Sequence, residues 1–126
     1  MKILFSIAAG GAFGAVGRYL VMIQVGHWLG TQFPFATLAV NIIGGFLLGS
    51  LIELTALVWS PGQELRAFLV VGMMGGFTTF STFSMDMFYL MERGDVGGVG
   101  IYVAASVIVS VLAFYGGLSL VRFFVA

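Results

Sequence analysis

Four long apolar runs follow one another along this chain, at about residues 3–23, 34–58, 65–91 and 96–124. Each is near the roughly 20 residues that cross the hydrocarbon core of a bilayer. Between them lie only a loop around His27–Gln32, a turn at Ser60-Pro61-Gly62 and a charged turn at Glu92-Arg93-Gly94-Asp95. The residues are 60% hydrophobic and 8% charged, where soluble domains carry roughly 25% charged residues. A soluble fold this small cannot hide so much apolar surface, so lipid is the solvent for most of it. Lys2 and Ala8-Ala9 give the first run a superficial likeness to a cleaved signal peptide. Its apolar stretch continues through Phe13, Val16 and Tyr19 to Ile23, however, and is long enough to span. The expectation is one all-α integral membrane domain, 1–126, with four transmembrane helices.

Several function classes fall away on composition. Five basic and five acidic residues cancel, and no basic tract invites nucleic acid. Without cysteine there is no disulfide, thiolate metal site or thiol nucleophile. The chain holds a single histidine, His27, and Gly75-Gly76 is not followed by the lysine of a phosphate-binding loop. It does not read as an enzyme.

Orientation signals are weak. Lys2, Arg66 and Arg122 fall on one side, against Arg93 and, near the end of its span, Arg18. Insertion in both directions, which permits an antiparallel homodimer, and a fixed topology with cytoplasmic termini both remain open. Trp28 and Trp59 sit at opposite ends of the second span, where interfacial indoles belong. Gly10, Gly14 and Gly17 form a smooth stripe on the first span, and Gly45 and Gly49 a small pair on the second. Such stripes serve close helix packing, within the chain or across a dimer. Four helices make a thin bundle, which favours oligomerisation.

The third run is interrupted. In Gly72-Met73-Met74-Gly75-Gly76-Phe77-Thr78-Thr79-Phe80-Ser81-Thr82-Phe83-Ser84, the paired glycines and paired threonines disfavour regular helix. Irregular backbone at membrane depth survives only where protein buries it or where it lines a polar cavity, and it frees groups that can bind ions. Ser81 and Ser84 are three apart, as are Phe80 and Phe83, so hydroxyls and rings form adjoining stripes if helix resumes after the break. Aromatic stripes ordinarily mean packing, but ring edges are positive and suit a small anion. Thr37 and Asn41 share one face of the second span, and Ser106 and Ser110 one face of the fourth. The first pair serves either an interhelical hydrogen bond or an anion path, and the serines either bond their own helix backbone or join the same polar track. Arg18 is either a snorkelling anchor or a fixed charge at a pore mouth. Glu53 and Asp86 are acids within spans, with no obvious basic partner in the sequence.

Taken together, Gly17-Arg18, Thr37-Leu38-Ala39-Val40-Asn41 and Gly75-Gly76-Phe77-Thr78-Thr79-Phe80-Ser81-Thr82-Phe83-Ser84 strongly resemble the Fluc/CrcB family of small fluoride channels. The resemblance covers nearly the whole chain. It implies a dual-topology antiparallel homodimer in the bacterial inner membrane, giving passive fluoride efflux that lowers cytoplasmic fluoride toxicity. It also implies a fluoride pathway at Asn41, Phe80, Phe83, Ser81, Thr82, Ser84 and Ser110, with Arg18 at the vestibule. A structural, untransported Na⁺ is implied on the backbone carbonyls of Gly75 and Thr78. Family members often carry glutamate where this chain has Asp86, which puts any gating or relay role of that carboxylate in question. The rival reading is a small multidrug-type, dual-topology, proton-coupled exporter. That reading wants a carboxylate in the first span, where the chain has only Arg18.

Overall fold

Apolar sequence with few breakers winds into helix wherever lipid forbids an unpaired backbone. A computed structural model describes residues 1–125 and is all-helical. Its elements are α1 (Lys2–Leu29), α2 (Phe35–Leu57), α3 (Gln63–Arg66), a π-helical stretch (Ala67–Met74), α4 (Gly75–Phe77), α5 (Phe80–Glu92) and α6 (Val96–Val125). Everything from Gln63 to Glu92 acts as one interrupted span, so four helical segments are long and apolar enough to cross a membrane. The first continues past Ile23 to Leu29 and takes His27 and Trp28 out of the expected loop.

The turns use glycine where the backbone requires it. Gly30 ends α1 at φ 80°, and Gly94 follows α5 at φ 73°, both in the left-handed region that favours glycine. At the second site Asp95 N–H bonds the Leu90 carbonyl (3.0 Å) and Gly94 N–H the Met91 carbonyl (3.0 Å), a Schellman closure. Asp95 Oδ1 then accepts the Gly98 N–H (2.9 Å) and opens α6.

Packing follows the glycines and runs within the chain. A Cβ on Gly10 or Gly14 would collide with the main chain of Phe68, Met73 or Phe77, so α1 lies directly against the first half of the third span. Gly72 and Gly76 answer from the other side, where added Cβ atoms would lie 2.7 Å from the Ile7 carbonyl and 2.8 Å from that of Gly11. α2 and α6 pair in the same way: Gly45 meets the Ser110 carbonyl, Gly49 meets Phe114, and Gly117 meets Phe46 and Ser50. Near one end of this second pair, Arg122 Nη2 bonds Glu53 Oε2 at 2.7 Å. Glu53 therefore has the basic partner that the sequence left unassigned, supplied from 69 residues away.

α5 joins the two pairs through an apolar cluster of Phe83, Leu90 and Tyr102, flanked by Phe33, Leu38, Met87, Val99 and Val103. Large side chains elsewhere point outward, among them Phe5, Phe13, Leu112 and Phe123. That distribution suits a surface solvated by lipid tails or covered by protein.

Gly49→Ala is expected to lower the thermal midpoint in detergent, by overpacking worth about 1–3 kcal/mol. Gly100→Ala, where no atom lies within 4 Å of an added Cβ, should leave the midpoint level or raise it slightly. The ion pair should respond asymmetrically. Arg122→Ala strands Glu53, whose side chain is 7% exposed, at a cost of about 3 kcal/mol. Glu53→Gln leaves a guanidinium that is 62% exposed, near the end of α6, and should cost clearly less in the same melt.

Candidate ion pathway at the break in the third span

The interruption lies after the paired glycines rather than at them. Gly75–Phe77 is helical, whereas Thr78 (φ −83°, ψ 155°) and Thr79 (φ −149°, ψ 121°) are extended. Gly76 serves close approach to α1, and the β-branched threonines take the extended backbone they favour. Asn41 from α2 makes this possible. Its Oδ1 accepts the Thr79 N–H (2.8 Å) and its Nδ2 donates to the Thr79 carbonyl (3.1 Å). One side-chain amide thus replaces the lost helical bond of the Thr79 N–H and adds a second donor to its carbonyl.

The surrounding carbonyls sort themselves as a consequence. In an unbroken helix Gly75 C=O would accept from Thr79 N–H, but that donor is committed to Asn41. The Gly76 carbonyl accepts from Arg18 Nε (3.1 Å) and the Thr79 carbonyl from Asn41. Thr78 is extended, so its carbonyl leaves the helical ladder. The carbonyls of Gly75, Phe77 and Thr78 are thus left without a donor among the described residues, while that of Gly76 is met by Arg18.

Helix restarts through Thr79, whose Oγ1 accepts the Thr82 N–H (3.1 Å) as an N-cap. The same hydroxyl lies 3.1 Å from Thr82 Oγ1 and 3.2 Å from Ser81 Oγ. Ser84 Oγ donates to the Phe80 carbonyl one turn back (3.1 Å). Ser81 and Ser84 are exposed and line neither cavity described below.

Two cavities flank the break. The smaller, about 260 Å³, is lined by Asn41, Thr78, Thr79, Phe80, Phe83, Ser106, Val107 and Ser110. Ser106 Oγ and Ser110 Oγ are buried and have no hydrogen-bond partner among the described residues. Phe80 and Phe83 stack tilted with centroids 5.4 Å apart, and Phe83 continues to Tyr102 at 5.0 Å. The two rings differ in setting: Phe83 belongs to the core, whereas Phe80 is 77% exposed.

The larger cavity, about 530 Å³, includes Arg18, Thr37, Thr82, Asp86 and Arg93 in its wall. Asp86 Oδ2 accepts from Thr37 Oγ1 (2.6 Å) and Tyr102 OH (3.0 Å). Its partners are hydroxyls from two other helices, with no arginine or lysine in the set. Thr37 and Asn41 do share a face, and that face is turned to the third span.

The sequence marked Thr79 only as one of the threonine pair that disfavours helix, and did not mark Tyr102. Tyr102 stands four residues before Ser106, which stands four before Ser110, so a single stripe on α6 carried the signal.

Asn41→Ala should leave the Thr79 N–H without a partner, at about 1–3 kcal/mol, and strip one of two donors from its carbonyl. The expected readout is a lower melting midpoint together with faster amide exchange at Thr79 and Thr82. Asn41→Asp keeps an acceptor for the N–H but loses the donor, and should fall between the two.

The chain matches the family described as "CrcB-like protein, Camphor Resistance (CrcB)" over residues 5–118. It is 54% identical over 126 residues to a fluoride-specific ion channel FluC of Rhodospirillum centenum, with both chains covered completely. It is 50% identical over 119 residues to the fluoride-specific ion channel FluC of Nitrobacter winogradskyi, covering 94% of each. The corresponding protein of Agrobacterium fabrum is 50% identical over 116 residues, covering 92% of this chain and 93% of its own.

Proposed function

The chain belongs to the CrcB family, and from that membership we propose that it conducts fluoride passively and selectively across the membrane it spans. It is a multi-pass ion channel and not an enzyme. The observation that carries the reading is the pair of buried, unpartnered hydroxyls of Ser106 and Ser110, on a cavity shared with Phe80 and Phe83. A buried hydroxyl without an acceptor is costly, and a small anion is an acceptor. Fluoride holds its water tightly, so a path for it must offer short-range donors at every step. Hydroxyl protons and positive ring edges do so without the deep trap of a lysine or arginine.

In this reading the anion gathers at Arg18 in the larger cavity, passes Thr82, and moves along the Phe80–Phe83 edges to Ser106 and Ser110. Asn41 lines the same cavity, but its amide groups are spent on Thr79, so its first role is to hold the break open. The hydroxyls of Ser81 and Ser84 join the path only against a second copy that covers their exposed face. Asp86 is held by Thr37 and Tyr102 beside the entrance, where its charge opposes over-tight anion binding.

The working unit is an antiparallel homodimer of dual topology in the bacterial inner membrane. Its support is the near balance of Lys and Arg between the two sides and the exposure of Phe80 at an otherwise polar break. The break leaves donor-free carbonyl oxygens at Gly75, Phe77 and Thr78, which suit a hard cation, and of these Gly75 and Thr78 are the pair that the family resemblance assigns to a structural Na⁺. One chain offers that pair, and two chains brought together at the break would offer twice that. When bound, the ion would supply a fixed positive charge that draws the two copies together. Fluoride that enters the cytoplasm as HF would leave down the membrane potential.

The test is efflux from liposomes containing the purified chain, with valinomycin clamping the potential and fluoride and chloride electrodes reading in parallel. Fluoride should escape quickly while chloride stays. Phe80→Ile should abolish the flux with the gel-filtration profile unchanged, and is a cleaner probe than Phe83→Ile, which also disturbs the core. Undiminished flux in Phe80→Ile would reject the pathway. Absence of wild-type fluoride flux, with proton-coupled uptake of an organic cation, would install the exporter instead.

A further inference from the structure

The larger cavity contains two guanidiniums, and the pathway as proposed uses only one of them. Arg18 lies deep, bonded to the Gly76 carbonyl, while Arg93 stands at the rim, in the turn between α5 and α6. Arg93 is not loose. Its Nη2 bonds the Gln32 main-chain carbonyl and its Nη1 lies 3.5 Å from Gln32 Oε1, bridging 61 residues to the α1–α2 connection. These acceptors are neutral, so they fix the guanidinium without cancelling its charge. Arg122 shows the opposite arrangement, with its charge met by the Glu53 carboxylate.

Two carboxylates, Glu92 and Asp95, share the turn with Arg93, and Asp95 Oδ1 accepts the Gly98 N–H at the start of α6. Glu92 is exposed, and neither it nor Asp95 lines the cavity. The one carboxylate in the cavity wall is Asp86, engaged by two hydroxyls. The wall therefore carries two fixed positive charges against one negative, and one of the positive charges marks its outer edge.

We propose that Arg93 is an anion-capture residue at the mouth of the pathway, held in position by Gln32, that raises the entry rate of fluoride. This rests on the fluoride-channel reading above. A rim charge acts on encounter rate and is screened by salt, so its contribution should be confined to low ionic strength and subsaturating fluoride.

The experiment is initial fluoride efflux from liposomes containing the full chain, at about 20 mM and about 0.5 M ionic strength set with a bulky impermeant anion. Arg93→Gln should slow entry roughly threefold to tenfold at low salt, with the deficit closing at high salt. A second substitution relocates the charge: Thr31→Lys, at another exposed position in the cavity wall, should restore the salt dependence of Arg93→Gln without rebuilding the tie to Gln32. Low-salt flux equal to wild type in Arg93→Gln would overturn the inference. So would a deficit that is the same at both salts and unrelieved by Thr31→Lys, since that marks a strut holding the loop. Wild-type liposomes that release no fluoride would remove the channel reading itself and the inference with it, an outcome told apart by the wild-type trace alone.

Discussion

Hydrocarbon offers no partner to a peptide group, so every N–H and C=O at membrane depth must be bonded within the protein. The break at Thr78-Thr79 exists because Asn41 meets that demand for the Thr79 N–H and adds a donor to its carbonyl. The rest of the site follows from the exchange. With Thr79 N–H removed from the helical ladder, the Gly75 carbonyl loses its donor, and Thr79 is free to cap α5 through its hydroxyl. The restart then sets the rotation of α5, which turns Phe83 into the core and Phe80 outward, and brings Asp86 to Thr37 and Tyr102.

Such a clamp works only if α2 and the third span are held in fixed register. Glycine does this on both sides of the bundle. α1 presses its Gly10–Gly14 face onto the first half of the third span, and α2 presses Gly45 and Gly49 onto α6. Contacts between main chains at this distance leave little freedom to slide, because van der Waals energy falls off over a fraction of an ångström. Cavities can then persist between the helix pairs, since the spacing of the helices is set by backbone contact.

The membrane class and the four spans were legible because length and hydropathy are one-dimensional properties. The glycine stripes were also legible as packing faces, though whether they packed within the chain or across a dimer was not. The break was correctly sought between residues 72 and 84 but credited partly to Gly75-Gly76, which are helical. Glycine lowers the cost of leaving a helix without obliging the chain to leave it, and here close approach to α1 decides. Glu53 looked unpartnered because Arg122 is distant in sequence and adjacent only across the α2–α6 pair. Tyr102 was missed because an aromatic residue in an apolar run carries no mark of its hydrogen bond until Asp86 stands beside it.

By itself the sequence determined the solvent of this protein, the number and approximate extent of its spans, the faces that pack and the region where helix gives way. These depend on local composition and on periodicity, which are present in the chain before it folds. Tertiary structure decided which donors are spent and which are spare. It assigned the amide of Asn41 to Thr79, gave Asp86 two hydroxyls, and left Ser106 and Ser110 buried without acceptors. Hydrogen-bond satisfaction is a property of pairs, and each of these pairs joins helices that are neighbours only after packing.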